Sequence, residues 1–140
     1  MVLGKKWVLK QHFNGLPKLE DFELVEEELP ALQENQFIFR SHYISVDPYQ
    51  RPYTARMTPP FTMIGSSVAT IEESKHPGYP EGSDIIIYAG WVERGVASPD
   101  VHGALGPPQI VPKLGNISKT HLLGACGMPG NTAYFGLLEI

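Results

Sequence analysis

Cysteine is almost missing from this chain: one residue, Cys126, stands in 140. An internal disulfide is excluded, and so is a thiolate-rich zinc site built within the chain. An excess of basic charge is missing too. Eleven Lys and Arg stand against 15 Asp and Glu, a formal net charge of -4. No basic patch marks a nucleic-acid binder, and no Lys/Arg-rich helix marks a membrane surface. No stretch approaches the ~20 apolar residues of a membrane span, so no membrane insertion is expected. The opening MVLGKKWVLK has two lysines with no apolar run behind them, which is not the pattern of a signal peptide. Together these absences fit a cytoplasmic protein.

What the chain does have is punctuation. Gly (14) and Pro (13) make up about a fifth of it, which favours short strands and turns over long helices. KWVLKQ (6–11) alternates polar and apolar like a strand, and DFELVEEEL (21–29) begins the same way after a Gly-Leu-Pro break. QFIFRSHYISV (36–46) is aromatic and β-branched, with Phe37, Phe39, Ser41, Tyr43 and Ser45 on one face. MIGSSVATIEES (63–74), IIIYAG (85–90) and WVERGVAS (91–98) complete the strand candidates, the last pair bent at Gly90. Residues 47–60 hold four prolines and read as a loop, and residues 99–116 read as irregular. Ser118 is placed to cap a short helix, and Asn131 or Thr132 to cap the last one. Six or so strands without long helices between them predict an antiparallel barrel or sandwich.

The motifs are weighed against plain packing. SVDPYQRPY (45–53) ends a strand in a turn stiffened by Pro48 and Pro52. Its Tyr49 and Tyr53 suit the wall of a small-molecule pocket, and equally a packed Asp-Pro turn. Tyr88 and Trp91 flank the Gly90 bend and are open to the same two readings. GACGMPG (124–130) looks like a phosphate loop, but its G-x-x-G-x-x-G spacing follows no strand, so a tightly packed turn is expected. Cys126 reads as a small packing residue. The histidines (12, 42, 76, 102 and 121) show no metal-ligand spacing, and the Glu26–Glu28 run reads as a solvated strand end. No nucleophile elbow and no paired carboxylates stand out.

Four separated motifs nevertheless occur in a telling order: SVDPYQR (45–51), GSSVATIEES (65–74), GW (90–91) and GMPGNTAYFGLLEI (127–140). With the opening KKWVLKQHFNGLPKLEDFELVEEELP they resemble, from Met1 to Ile140, the amino-terminal part of the prostaglandin reductase (leukotriene 12-hydroxydehydrogenase) family. These are zinc-free medium-chain dehydrogenase/reductases. The resemblance implies a mainly β fold, a GroES-like, partly open β-barrel with short helices that ends in a linker helix. Residues 1–123 would be the substrate-capping domain. Residues 124–140 would be the hinge and linker helix toward a Rossmann domain absent from this chain.

The activity implied is NADPH-dependent reduction of the carbon–carbon double bond of enones and enals, such as keto-prostaglandins and lipid aldehydes, with hydride going to the β-carbon. The site residues implied are Tyr49, Tyr88, Trp91 and Met128 toward substrate, and Pro48 and Thr132 toward the cofactor. No metal ligand is implied. The family's enolate-assisting tyrosine would lie beyond Ile140, so no catalytic residue is expected in this chain, and the chain alone is expected to be inactive. A homodimer is implied, with contacts largely in the second domain. The alternative is a non-catalytic β-rich module that binds or regulates a full-length reductase. Two departures stand out. Gln50 replaces the family's usual Met, which predicts a more polar pocket wall, and EGSD (81–84) carries an extra turn residue. The last helix is apolar almost all round, so by itself it is expected to fray, refold onto the barrel or self-associate.

Overall fold

A computed structural model describes residues 2–100 and 106–139. Met1, Ile140 and residues 101–105, which include His102 of the stretch expected to be irregular, lie outside the described residues. Among the described residues, eight strands build two antiparallel sheets. The first sheet has the order β2 (Phe22–Glu28), β1 (Leu3–Leu9), β4 (Phe61–Thr62). The second runs β7 (Arg94–Ala97), β3 (Phe37–Ile44), β5 (Ser67–Ser74), β6 (Asp84–Ile87), β8 (Gln109–Ile110). The sheets are sewn together where β1 meets the chain entering β7. Trp7 N–H donates to the Trp91 carbonyl at 2.9 Å, and Glu93 N–H to the Lys5 carbonyl at 2.7 Å. This is the mainly β, partly open barrel expected from the motifs. Every described strand pairing is antiparallel, so no described residues form the parallel βαβ sheet of a Rossmann domain.

The core explains the central strands. Phe37, Phe39, Ala69, Ile71, Ile85 and Ile87 form one buried cluster, with Tyr79, Ala89, Val92 and Ala97 packed against it. Phe37 and Phe39 share the face that their period-2 spacing predicts, but Ile38 is buried as well. The first half of β3 has neighbours on both sides and cover on both faces, so its pattern is continuous rather than alternating.

Several boundaries differ from the sequence reading. The expected loop at 47–60 contains a helical turn, α1 (Gln50–Thr54). Pro52 sits in its first turn, where a missing N–H costs nothing. The two-residue strands β4 and β8 are too short to show a period and exist only through their partners. Ser118 caps as expected, its side chain accepting from Thr120 N–H, and a 3-10 helix runs over Lys119–Leu123. The last helix, α2 (Met128–Leu138), starts earlier than Asn131 or Thr132, with Gly127 at its N-cap and Pro129 in its first turn. Thr132 is instead an interior residue whose hydroxyl donates back to the Met128 carbonyl at 2.9 Å. α2 buries none of its residues; Tyr134, Phe135, Leu137 and Leu138 are all exposed.

An ionic tie holds the segment before α2 to the barrel. Lys119 Nζ lies 2.6 Å from Asp84, and the Thr70 hydroxyl donates to the same carboxylate at 2.7 Å. Burial acts to raise the Asp84 carboxyl, but Lys119 and Thr70 outweigh it and hold it below its ordinary value. Asp21 is also lowered, by hydrogen bonds from the Gln11 side chain and the Lys18 backbone. A carboxyl lowered by folding stabilises the fold above the ordinary carboxylate range, and that contribution is lost as pH falls through the folded value. The urea midpoint is therefore expected to hold near neutrality and to drop below about pH 4. Lys119→Met should shift the Asp84 titration, followed by NMR, back toward the ordinary value. A midpoint that stays flat through the carboxylate range would contradict this.

Candidate functional site

The turn after β3 is built from backbone bonds. Gln50 N–H donates to the Asp47 carbonyl at 3.1 Å, Arg51 N–H to the Pro48 carbonyl at 3.3 Å, and Tyr53 N–H to the Tyr49 carbonyl at 3.2 Å. Pro48 presets the first dihedral of this turn. One turn of helix then places Tyr49 and Tyr53 four residues apart on one face, their rings edge to face at 5.6 Å and 85°. Tyr88 arrives just past the end of β6. Opposite stands the start of α2. Between them is a cleft of about 670 Å³ bordered by Asp47, Pro48, Tyr49, Tyr53 and Tyr88 on the barrel side. Met128, Pro129, Thr132 and Ala133 form the α2 side. An adjoining lobe of about 490 Å³ shares Asp47, Tyr88, Met128, Pro129 and Thr132, and reaches Ile86, Cys126 and Phe135.

The Gly-rich turn shapes the α2 wall. A side chain at Gly127 would collide with the Leu122 carbonyl, and one at Gly130 with the Ala125 carbonyl. Gly130 N–H donates to the Gly124 carbonyl at 3.0 Å, closing the turn. These glycines permit a tight backbone approach, and their amides are spent on the chain itself rather than left for a phosphate.

The Tyr49 hydroxyl is buried and makes no hydrogen bond of ordinary geometry among the described residues. Burial chiefly, and then the neighbouring Tyr88 phenol and the Asp47 charge, raise its pKa well above the ordinary phenol value. Tyr49 therefore holds its proton, its hydroxyl lying against the Tyr88 phenol beside the cleft.

Of the six residues singled out in the sequence, Pro48, Tyr49, Tyr88, Met128 and Thr132 border this one cleft. Trp91 does not border either lobe. Its ring stacks on Phe22 at 5.7 Å and 15°, and its indole N–H is buried beside Gly65 with no hydrogen-bond partner among the described residues. Gln50 differs from expectation as well. It is 2% exposed, turned inward, with its amide donating to the Ser45 carbonyl at 3.0 Å, so it adds no polarity to the cleft wall. Tyr53, read in the sequence beside Tyr49 as suited to a pocket wall, borders the cleft too, and Asp47 borders it without having been singled out for the site. Among the described residues, no three or more His, Cys, Asp or Glu side chains come together in a group fit to hold a metal ion, and no helix is long and apolar enough to cross a membrane.

The apolar, tyrosine-walled cleft thus lies between a β-barrel and the helix that follows it. The chain belongs to the family of N-terminal domains of oxidoreductases, whose pattern matches residues 5–103. Prostaglandin reductase 1 of Oryctolagus cuniculus is 39% identical over 140 residues, 100% of this chain and 39% of that protein. The NADPH-dependent curcumin reductase of Escherichia coli is 35% identical over 145 residues, 98% of this chain and 40% of that protein. Among solved structures, CurA from Vibrio vulnificus in complex with NADPH superposes with a TM-score of 0.78 at 31% identity, covering 97% of this chain and 40% of that one. The chain thus spans about two fifths of the length of these relatives. The resemblance to the amino-terminal part of prostaglandin reductases is found over the whole chain.

Proposed function

We propose that this chain is the substrate-capping amino-terminal domain of an NADPH-dependent reductase of enone and enal double bonds. The observation that carries the reading is the meeting of Pro48, Tyr49, Tyr88, Met128 and Thr132 around one apolar cleft, with the protonated Tyr49 phenol beside it. The names of the relatives, prostaglandin and curcumin reductases, support it. In this reading residues 1–123 are the capping domain and residues 124–140 the hinge and linker helix. The exposed Tyr134, Phe135, Leu137 and Leu138 of α2 would then pack against a nucleotide-binding domain.

Pro48 and the Thr132 hydroxyl offer the apolar face and polar contact that suit the nicotinamide end of the cofactor, and Met128 faces the substrate. The described residues include no strand–Gly-rich turn–helix unit for its pyrophosphate. When bound, NADPH would supply the hydride. The chain's own part is to hold the substrate and to place the protonated Tyr49 phenol at its carbonyl oxygen, where negative charge grows during reduction. Apolar walls around that oxygen strengthen the hydrogen bond by excluding water. A neutral phenol donor and a chain with one cysteine suit a zinc-independent route. A cytoplasmic homodimer acting in lipid metabolism completes the reading.

The test joins this chain to the remaining segment of the curcumin reductase. The chain alone should leave NADPH unconsumed in the presence of an enone, and the joined protein should consume it. Tyr49→Phe in the joined protein should lower kcat/KM about tenfold. A joined protein that binds NADPH yet leaves enones unreduced overturns the proposal; tight enone binding by the chain alone would then favour the non-catalytic module.

A further inference from the structure

The chain around Tyr88 is built to aim that side chain. Ile85 and Ile87 of β6 belong to the buried core, and Ala89 packs against it. Ile86 and Tyr88 alternate with them, and both border the second lobe of the cleft. The Gly90 bend that follows is pinned on both sides. Gly90 N–H donates to the Gly65 carbonyl at 3.0 Å, and Trp91 N–H to the Met63 carbonyl at 2.7 Å. Tyr88 therefore stands on a held segment, which is what a precisely placed donor needs.

Five residues border both lobes: Asp47, Tyr88, Met128, Pro129 and Thr132. Of these only Tyr88 and Thr132 carry a hydroxyl, and that of Thr132 is spent on the Met128 carbonyl at 2.9 Å. No described lysine, arginine or histidine borders either lobe, so among the described residues only neutral donors can meet charge growing on an oxygen bound there. The Tyr49 hydroxyl lies against the Tyr88 phenol. Each phenol has one proton and two lone pairs. Even with one proton turned toward the other ring's oxygen, the second is left for the cleft. Two hydroxyls so close can both reach a single oxygen set beside them.

We propose that Tyr88 is a further catalytic residue of this cleft: its hydroxyl donates, together with that of Tyr49, to the carbonyl oxygen of the bound enone or enal. The inference rests on the enone-site reading above and adds a second donor to it. The two hydrogen bonds strengthen as charge moves onto the oxygen, and neither phenol gives up its proton. Tyr53 is not a third member. It is 57% exposed and meets Tyr49 through its ring.

The experiment is an NMR titration of the 140-residue chain with a short linear enone carrying carbon-13 at its carbonyl, and with the alkene of the same length that lacks the carbonyl. The carbonyl resonance should move downfield on binding. Tyr88→Phe keeps the ring, and should weaken the enone about two- to tenfold, the size of one hydrogen bond, while leaving the affinity for the alkene unchanged. It should also remove part of the downfield movement, and Tyr49→Phe with Tyr88→Phe all of it. Should Tyr88→Phe not fold, the ring carbon that bears the Tyr88 hydroxyl decides in the unaltered chain: it should shift with the enone and stay in place with the alkene. Equal loss of affinity for both ligands, a carbonyl resonance that Tyr88→Phe leaves in place, or a Tyr88 ring carbon that answers both ligands alike overturns the role of Tyr88 and leaves the enone site standing. If the enone moves no resonance of Tyr49, Tyr88, Met128 or Thr132, the enone site itself falls and this inference with it.

Discussion

Phe39→Ala is expected to cost about 3–5 kcal/mol of folding stability. Phe39 lies in β3, the strand flanked by β5 and β7, and is 2% exposed. Its ring end reaches across to Gly95, where an added side-chain carbon would lie 3.0 Å from it. The ring thus fills the space that glycine leaves open on β7. Truncation would remove both the transfer free energy of the ring and its contacts, leaving a cavity that two paired neighbouring strands cannot collapse into. Domains of this kind have about 5–15 kcal/mol in all, so the loss is a large share. The urea midpoint measures it. Phe135→Ala makes the comparison: that ring is 56% exposed on α2, and its removal should stay within about 0.5 kcal/mol. Equal losses for the two would mean that the barrel core is not where the stability resides.

Gly90→Ala is expected to cost about 2–4 kcal/mol and to disturb the cleft as well. Gly90 has φ +82, and a methyl group there would lie 2.5 Å from the Met63 carbonyl oxygen. That carbonyl accepts from Trp91 N–H at 2.7 Å, and Gly90 N–H donates to the Gly65 carbonyl at 3.0 Å. The methyl group cannot be accommodated by a rotamer change, because the atom it strikes is backbone held in the seam between the sheets. Relief must come from moving the bend, and Tyr88 stands only two residues before it. Gly15→Ala isolates the conformational part of the cost. Gly15 has φ +78 but nothing within 4 Å of the added carbon, so it should cost only about 1–2 kcal/mol. A Gly90→Ala variant as mild as Gly15→Ala, with Tyr88 resonances unmoved, would refute the close-contact account.

The sequence showed much of the barrel because its central strands are written in residues that cannot be exposed. Phe37, Phe39, Ile71, Ile85 and Ile87 mark buried faces by type and spacing, and they form the core found in the structure. Elements without a pattern of their own were hidden. β4 and β8 have two residues each and are strands only because β1 and β6 offer partners. Four prolines disguised the helical turn of α1, since a composition that suits loops also suits a first helical turn.

For the cleft, the division has a physical basis. Sequence by itself determined the residue chemistry: tyrosines near a Pro-stiffened turn, an apolar last helix, one cysteine and no excess of basic charge. It also carried the motif order that marks the amino-terminal part of a reductase. It did not determine which of those side chains meet. Trp91 and Tyr88 lie three residues apart, yet the Gly90 bend sends one to stack on Phe22 and the other to the cleft. Gln50 and Tyr49 are adjacent, yet one helical step turns the first into the barrel and leaves the second beside the cleft. Asp47 read as a turn former; only its position between the barrel and α2 makes it the charge that both lobes share. Residue type is a local property, whereas the direction of a side chain at a bend depends on backbone contacts with segments far away in the chain, and those exist only once the two sheets have closed.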